Sequence, residues 1–455
     1  MEKIDQRLSR FRRFNYLRLI IGILSLLAFL PFKTAQAQIS IISDEETEMY
    51  LAQVLQPIFK TAGIPFNRNK IYIVNDNSLN AFVSDGNDMF IHTGTLLKAD
   101  SSDEISGVLA HETGHIMGGH ILRQKIKNQN MQEASLASLI LAGAAAAATG
   151  RGDVAMAVMM GSQSSMLNHY LAYRVEEERS ADEAAIKLLG KIHQSPQGML
   201  NFMKKIQRQN TLNGIEESNY FRTHPLTGER IRFIEQAARE AHSPSVSTNE
   251  AQFKRVKAKL TAFLSEPSHT FRKYPATDQS STAAYARAIA YFKQLKFKQA
   301  IRTLDKLLES EPKNPYLYEL KGQIYMESGK LQEAEKSYAQ ALELRPHSAL
   351  LQLDWAQAAL ENNPSASQST KIITTLQQSL QRRPSAMGWL LLSQAYDRAG
   401  KSYFATYATA EYNLRLGMSD TAERLAKALL KQSLPQSLKI KVDDLMNRIK
   451  QLRKS

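Results

Sequence analysis

His111-Glu112-Thr113-Gly114-His115 sets two imidazoles four residues apart, with a carboxylate beside the first. On a helix that spacing turns them about 40° apart around the axis, so both side chains leave one face and can share a divalent ion. The adjoining carboxylate then stands where it can take a proton from a water that the ion has acidified. This is hydrolytic metal chemistry, with His111 and His115 as ligands of one Zn²⁺ per chain and Glu112 as general base. The same string also occurs in helices that hold no metal, as two ordinary histidines and a glutamate. Here it follows Val108-Leu109-Ala110, so the helix is partly buried and unpaired polar groups on it would be costly without an ion.

A third protein ligand must come from elsewhere. His120 lies five residues beyond His115, about 140° round a continuous helix, and Ile121 stands where a metzincin would need histidine. The acidic run Glu176-Glu177-Glu178 leads into Arg179-Ser180-Ala181-Asp182. Glu178 and Asp182 are four apart and face one way, so Glu178 can bind the metal while Asp182 accepts a hydrogen bond from a ligand histidine. Glu176 and Glu177 are rivals for the ligand position. A solvated acidic helix face is the plain alternative.

These residues need helices and a sheet to hold them. Ser101 and Glu104 fit a capping box, with Asp103 and Glu104 at the positive helix end, and the helix they open is expected to run to about Ile126. Ile71-Tyr72-Ile73-Val74 reads as a strand, and Ala81-Phe82-Val83 with Met89-Phe90-Ile91-His92 reads as a hairpin about an Asp-Gly turn. A small antiparallel sheet is the expected result. Between the two metal-bearing helices, Ala134 to Ala148 is small and apolar, and Val154 to Met160 is rich in methionine. That stretch is too short for a membrane span and reads as a packed helical hairpin; gripping unfolded chains or a lipid face is the sharper reading.

Along the whole chain, residues 1–37 read as an export signal. Five arginines lead into the apolar run Leu19 to Leu30, and Ala35-Gln36-Ala37 is a small-x-small cleavage site. The 455 residues include no cysteine, which closes both a lipoprotein route and a disulfide framework. Without the five net positive charges of residues 1–37, the formal +14 falls to +9. That balance suits anionic surfaces or acidic unfolded chains, and the basic residues form no aromatic-interleaved block of the kind nucleic acid would need. Residues 38–264 form the first region, a polar stretch at 265–282 reads as a linker, and 283–455 is helical throughout. In the last region Pro315, Tyr318, Gly322, Tyr325, Ala334, Tyr338, Ala341 and Pro346 mark one 34-residue tetratricopeptide unit. An earlier copy carries Ala288, Tyr291, Ala300 and Pro312, a later one Trp389, Ser393, Tyr396, Gly400 and Ala405, with an insertion expected around Asn362-Asn363-Pro364.

Four features occur together in order: Asn80-Ala81-Phe82, the His111–His115 helix, the Glu178-x-x-x-Asp182 helix, and Thr223-His224-Pro225 followed by Glu229-Arg230. The combination resembles the gluzincin family that includes HtpX and the CAAX prenyl proteases. With its leader and repeat tail, the chain resembles the family's soluble periplasmic branch. The resemblance implies a zincin-like α+β metalloprotease domain followed by an all-α tetratricopeptide domain, and a zinc endopeptidase in the periplasm of a Gram-negative bacterium. It implies Glu178 as third zinc ligand. It also brings His224 to the active site, either on the open metal position in a resting state or as a support for the oxyanion. The substrates and partners it implies are unfolded or misassembled outer-membrane proteins and their insertion machinery. A chaperone or adaptor worked by the repeats, with the zinc site mostly silent, is the alternative. Met89 to Thr93 is expected to form an exposed edge strand that pairs with an extended peptide.

Overall fold

Four acids crowd one short stretch, Asp44, Glu45, Glu46 and Glu48, and the chain uses them to start a helix. The computed structural model describes residues 40–126, 173–213, 224–241 and 249–453; the expected leader and the stretch 134–160 lie outside the described residues. After strand β1 (Ile41–Ile42), Asp44 caps helix α1 (Glu45–Ala62) by accepting the Thr47 N–H at 2.8 Å. Three carboxylates then lie in the first turn, facing the positive end of the helix dipole. Gly63, at φ 70°, stops it. Tyr50, Leu51, Val54, Leu55 and Ile58 make its buried stripe.

Strands β2 (Ile71–Val74), β3 (Ala81–Ser84) and β4 (Asp88–His92) complete a sheet in the order β1-β2-β4-β3. The β3–β4 hairpin is antiparallel as expected, but β2 pairs with β4 in parallel, so the sheet is mixed rather than antiparallel. The cause is the connection at residues 75–80, which carries the chain past a strand-wide gap that β4 then fills. The same arrangement corrects the expected edge. Met89 to His92 runs down a central strand, Thr93 already begins helix α2 (Thr93–Lys98), and among the described strands the edges are β1 and β3. On one face the rings of Tyr72, Phe90 and Phe82 stack across the three strands at 4.8 and 4.7 Å.

The helices that follow in this region are α3 (Ser102–Gly118), α4 (120–126), α5 (173–191), α6 (Gln197–Asn213) and α7 (Gly228–Glu240). Helix α3 was expected to reach Ile126 unbroken. It ends at Gly118, because Gly119 takes φ 61° and its N–H returns to the carbonyls of His115 and Ile116. Helix α3 is buried on nearly every side. A Cβ on Gly107 would meet Met199 Cα at 2.6 Å, and one on Gly114 would meet the Ala181 carbonyl oxygen at 2.6 Å. Glycine therefore allows α3 to cross α6 at one point and α5 at another.

Helix α8 (Glu250–Leu264) belongs to two cores. Phe253, Val256 and Leu260 join the core under the sheet, while Ala258 and Ala262 join the first core of the helical repeats. Within the stretch expected as a linker, residues 267–273 form helix α9 (Pro267–Lys273). The repeats follow as α10 (Ser281–Lys293), α11 (Phe297–Ser310), α12 (Pro315–Glu327), α13 (Leu331–Leu344), α14 (Ala349–Glu361), α15 (Ala366–Arg382), α16 (Ala386–Arg398), α17 (Ser402–Arg415), α18 (Ser419–Leu430) and α19 (Gln436–Leu452). Positive φ recurs in the turn inside successive pairs, at Leu295, Gly329, Asn363 and Gly400, so the first three turns keep a 34-residue period. Most of the expected insertion therefore falls in α15, which has 17 residues against 14 in α11 and α13. Gly322 has the packing role its place in the repeat suggested, since a Cβ there would meet the Tyr338 ring at 2.9 Å.

Candidate active site

Helix α3 is fixed before its polar residues are placed. Ser101 accepts the Glu104 N–H at 3.3 Å, while Glu104 Oε2 accepts the Asp100 N–H at 3.1 Å, closing the cap one residue earlier than a standard box. From this helix His111 and His115 project to one side, their Nε2 atoms 3.2 Å apart. The Gly114–Ala181 crossing brings α5 alongside. Glu178 then lies with Oε2 3.3 Å from His111 Nε2 and Oε1 3.4 Å from His115 Nε2. Of its rivals, Glu176 is exposed, and Glu177 accepts a hydrogen bond from Gln124 at 3.0 Å.

His224 enters from the stretch ahead of α7. Its Nδ1 lies 3.1 Å from Glu178 Oε1 and 3.4 Å from His111 Nε2. One donor atom from each of His111, His115, Glu178 and His224 lies within 4.8 Å of the others, and all four residues are buried. A four-coordinate ion with nitrogen and oxygen ligands at about 2.0–2.2 Å would hold those atoms about 3.3–3.6 Å apart. Three imidazole nitrogens and a carboxylate converging at this spacing repel or leave lone pairs unmatched unless cations lie among them. The donor set fits a divalent metal ion.

The surroundings are as ordered as the cluster. Asp182 lies behind His111, its Oδ1 3.0 Å from His111 Nδ1 though imperfectly aligned with it. Arg230 holds Asp182 with two nitrogens at 2.7 and 2.9 Å, reaches Glu178 Oε2 at 2.8 Å and donates to the Pro225 carbonyl at 2.7 Å. Among the protein groups alone, burial disfavours charge on His111, but Asp182 and Glu178 outweigh it and lift its pKa to about 10. Burial lowers His115 to about 3. Burial works against the charge on Glu178 too, yet the surrounding histidines hold that carboxyl well below its usual range. A divalent cation replaces such a proton when it binds, and affinity then depends on pH.

Glu112 differs from the other acids. Among the described residues neither of its buried oxygens has a hydrogen-bond partner, and His224 Nε2 stands 3.6 Å from Oε1. Burial raises its pKa, opposed in part by His224 and His111. A carboxylate in that state is a stronger base than one in water.

The structure thus brings His111, His115, Glu178 and His224 together, with Glu112 and Asp182 in contact with them. Two participants escaped the sequence reading. Arg230 appeared only as part of a motif, and nothing local says that it turns inward. His120 was set aside because a continuous helix would carry it round to another face. The break at Gly119 returns it, so that its Nδ1 lies 2.8 Å from His115 Nδ1. The Gly118-Gly119 pair was the signal available.

Residues 45–238 match the model of Peptidase family M48, and residues 285–349 match that of the tetratricopeptide repeat. Over residues 45–238 the chain is thus similar to a peptidase, and with the buried cluster of His111, His115, Glu178 and His224 that similarity indicates a metalloprotease, followed by tetratricopeptide repeats. It is similar to the beta-barrel assembly-enhancing protease of Escherichia coli (strain K12), with 24% identity over 335 residues covering 71% of this chain and 66% of that protein. Metalloprotease LoiP of Escherichia coli (strain K12) is 27% identical over 172 residues, 38% of this chain and 62% of LoiP. Among solved structures, the crystal structure of MamA aligns with a TM-score of 0.28 at 19% identity, covering 37% of this chain and 97% of MamA. Among the described residues no helix is long and apolar enough to cross a membrane.

Proposed function

We propose that this chain is a zinc-dependent endopeptidase of the bacterial periplasm that acts on misfolded or stalled outer-membrane β-barrel proteins. The observation that carries the hydrolytic reading is the convergence of His111, His115, Glu178 and His224 beside the buried carboxylate of Glu112, which has no hydrogen-bond partner among the described residues. His111, His115 and Glu178 would hold Zn²⁺, which when bound acidifies water and polarises the scissile carbonyl. Glu112 takes the proton of the attacking water and passes it to the amide nitrogen as the C–N bond breaks and the C–O bond forms. Asp182 and Arg230 keep the ligands aimed. The outer edge of β3, unpaired among the described strands and packed along α3, offers backbone groups to an extended substrate strand.

Exchange of Glu112 for glutamine tests this directly. Zinc content should stay at one per chain while cleavage of an unfolded protein such as casein falls at least about 1,000-fold, given what a general base and its carboxylate contribute together. Undiminished cleavage by the variant would refute the mechanism.

Localisation and substrate class rest on the resemblance to the beta-barrel assembly-enhancing proteases and on the leader-like residues 1–37. The repeats are proposed to engage the outer-membrane insertion machinery. A second reading makes them the working part, as chaperone or adaptor, over a mostly silent zinc site. It is favoured by His224, which stands as a fourth donor and would close the metal to substrate at rest. Replacing His224 by alanine should then raise basal proteolysis several-fold. No change in basal rate would leave the oxyanion role for His224. Complementation of a deletion strain by the Glu112 variant would favour the chaperone.

A further inference from the structure

The pair Gly118-Gly119 does two separate jobs for one side chain. Gly119, at φ 61°, turns the chain back so that His120 folds against the end of α3 instead of leaving with the helical twist. Gly118 leaves room for the ring, since a Cβ there would lie 2.2 Å from His120 Nε2. The imidazole of His120 is 1% exposed. It meets that of His115 edge to face at 78°, with Nδ1 2.8 Å from Nδ1.

Two imidazole nitrogens at hydrogen-bond distance need one proton between them, and the rest of the site says which carries it. His115 Nε2 faces Glu178 and His111 at 3.4 and 3.2 Å, so the lone pair for a metal must be on Nε2 and the hydrogen on Nδ1. His120 Nδ1 is then the acceptor. Resting on the metal-site reading above, we propose that His120 is a positioning residue: it fixes the tautomer and ring orientation of His115 as a metal ligand, as Asp182 does for His111. The two ligand histidines are thus backed differently, one by a carboxylate and one by an imidazole.

The test is the zinc dissociation constant of the full chain, measured by competition with a chromophoric chelator. Replacing His120 by leucine, which keeps bulk but no acceptor, should weaken zinc roughly 10–100-fold. His120→Asn puts an oxygen where Nδ1 stood and should recover most of that loss. Gly118→Ala keeps the imidazole in the chain but displaces it, and should weaken zinc as the leucine variant does. In the cobalt-substituted protein the visible spectrum should shift in the leucine and Gly118→Ala variants and hold in the asparagine variant. Should His120→Leu fail to fold, Gly118→Ala against the wild type decides. Wild-type affinity in the leucine or Gly118→Ala variants, or an asparagine variant no better than leucine, overturns the proposal. A wild-type chain that binds no zinc overturns the metal-site reading instead.

Discussion

Arg230 joins three parts of the site with one planar group. Two of its nitrogens clasp Asp182, and the third reaches both Glu178 and the Pro225 carbonyl, which ties in the stretch that carries His224. Its side chain is 3% exposed, so none of these charges can turn to water if the guanidinium is removed. Arg230→Ala should cost about 3–5 kcal/mol, the scale of breaking a buried pair by deleting one partner. Denaturant unfolding with and without zinc would measure it, and the loss should shrink when zinc takes over the charge on Glu178. At this scale the sequence was informative where one element supplies all the spacing. His111, Glu112 and His115 are legible because a single helix fixes them. Choosing among Glu176, Glu177 and Glu178 required knowing which way α5 faces α3, which no local spacing carries.

That facing is set between elements, by Gly114 against Ala181. Gly114, inside the His111–His115 motif, is the contact point of the two helices. A methyl at position 114 would press on backbone 2.6 Å away, which cannot swing aside as a side chain can. Gly114→Ala should therefore push α5 outward and separate Glu178 from both histidines. Zinc content and proteolysis should fall together, with overpacking costing about 1–3 kcal/mol in thermal unfolding. Retained stoichiometric zinc would show that α5 relaxes without moving Glu178. The sequence read helices well here and pairings poorly. Capped amphipathic segments and the 34-residue period show themselves in local pattern. The parallel pairing of β2 with β4 is a long-range choice, and Gly119 ends a helix whose apolar pattern runs on.

Over the whole molecule, the acids that begin α1 also hold the repeats. Glu46 pairs with Arg255 at 2.7 Å, Lys259 reaches both Asp44 and Glu46, and Arg345 and Arg383 pair with Glu45 and Glu48. Near them a cavity of about 530 Å³ is lined by Asp44, Glu319, Asp354 and Lys259. Burial raises the pKa of Asp354 to about 7, with Lys259 opposing and Glu45 and Asp44 adding. An acid whose folded pKa is raised keeps its proton in the native state while the unfolded chain has already lost it. Stability should thus fall as pH rises from about 4 to 7 and level off above. Asp354→Asn should flatten that slope. The unfolding midpoints of variant and wild type should agree near pH 4 and part by pH 8, the variant being higher. Equal midpoints at pH 8 would mean that the carboxyl titrates normally.

Helix α8 serves two hydrophobic cores at once, and this has a mechanical meaning. A load hung on the last helix of the superhelix would peel the repeats inward, α19 first, each step loosening only its neighbour. At α8 the peeling has to stop or take the peptidase with it, since drawing out Ala258 and Ala262 strips Phe253 and Val256 from the other side of the same rod. Any pull that the repeats sustain would therefore reach, through α8, the helices α1 and α3 packed against it.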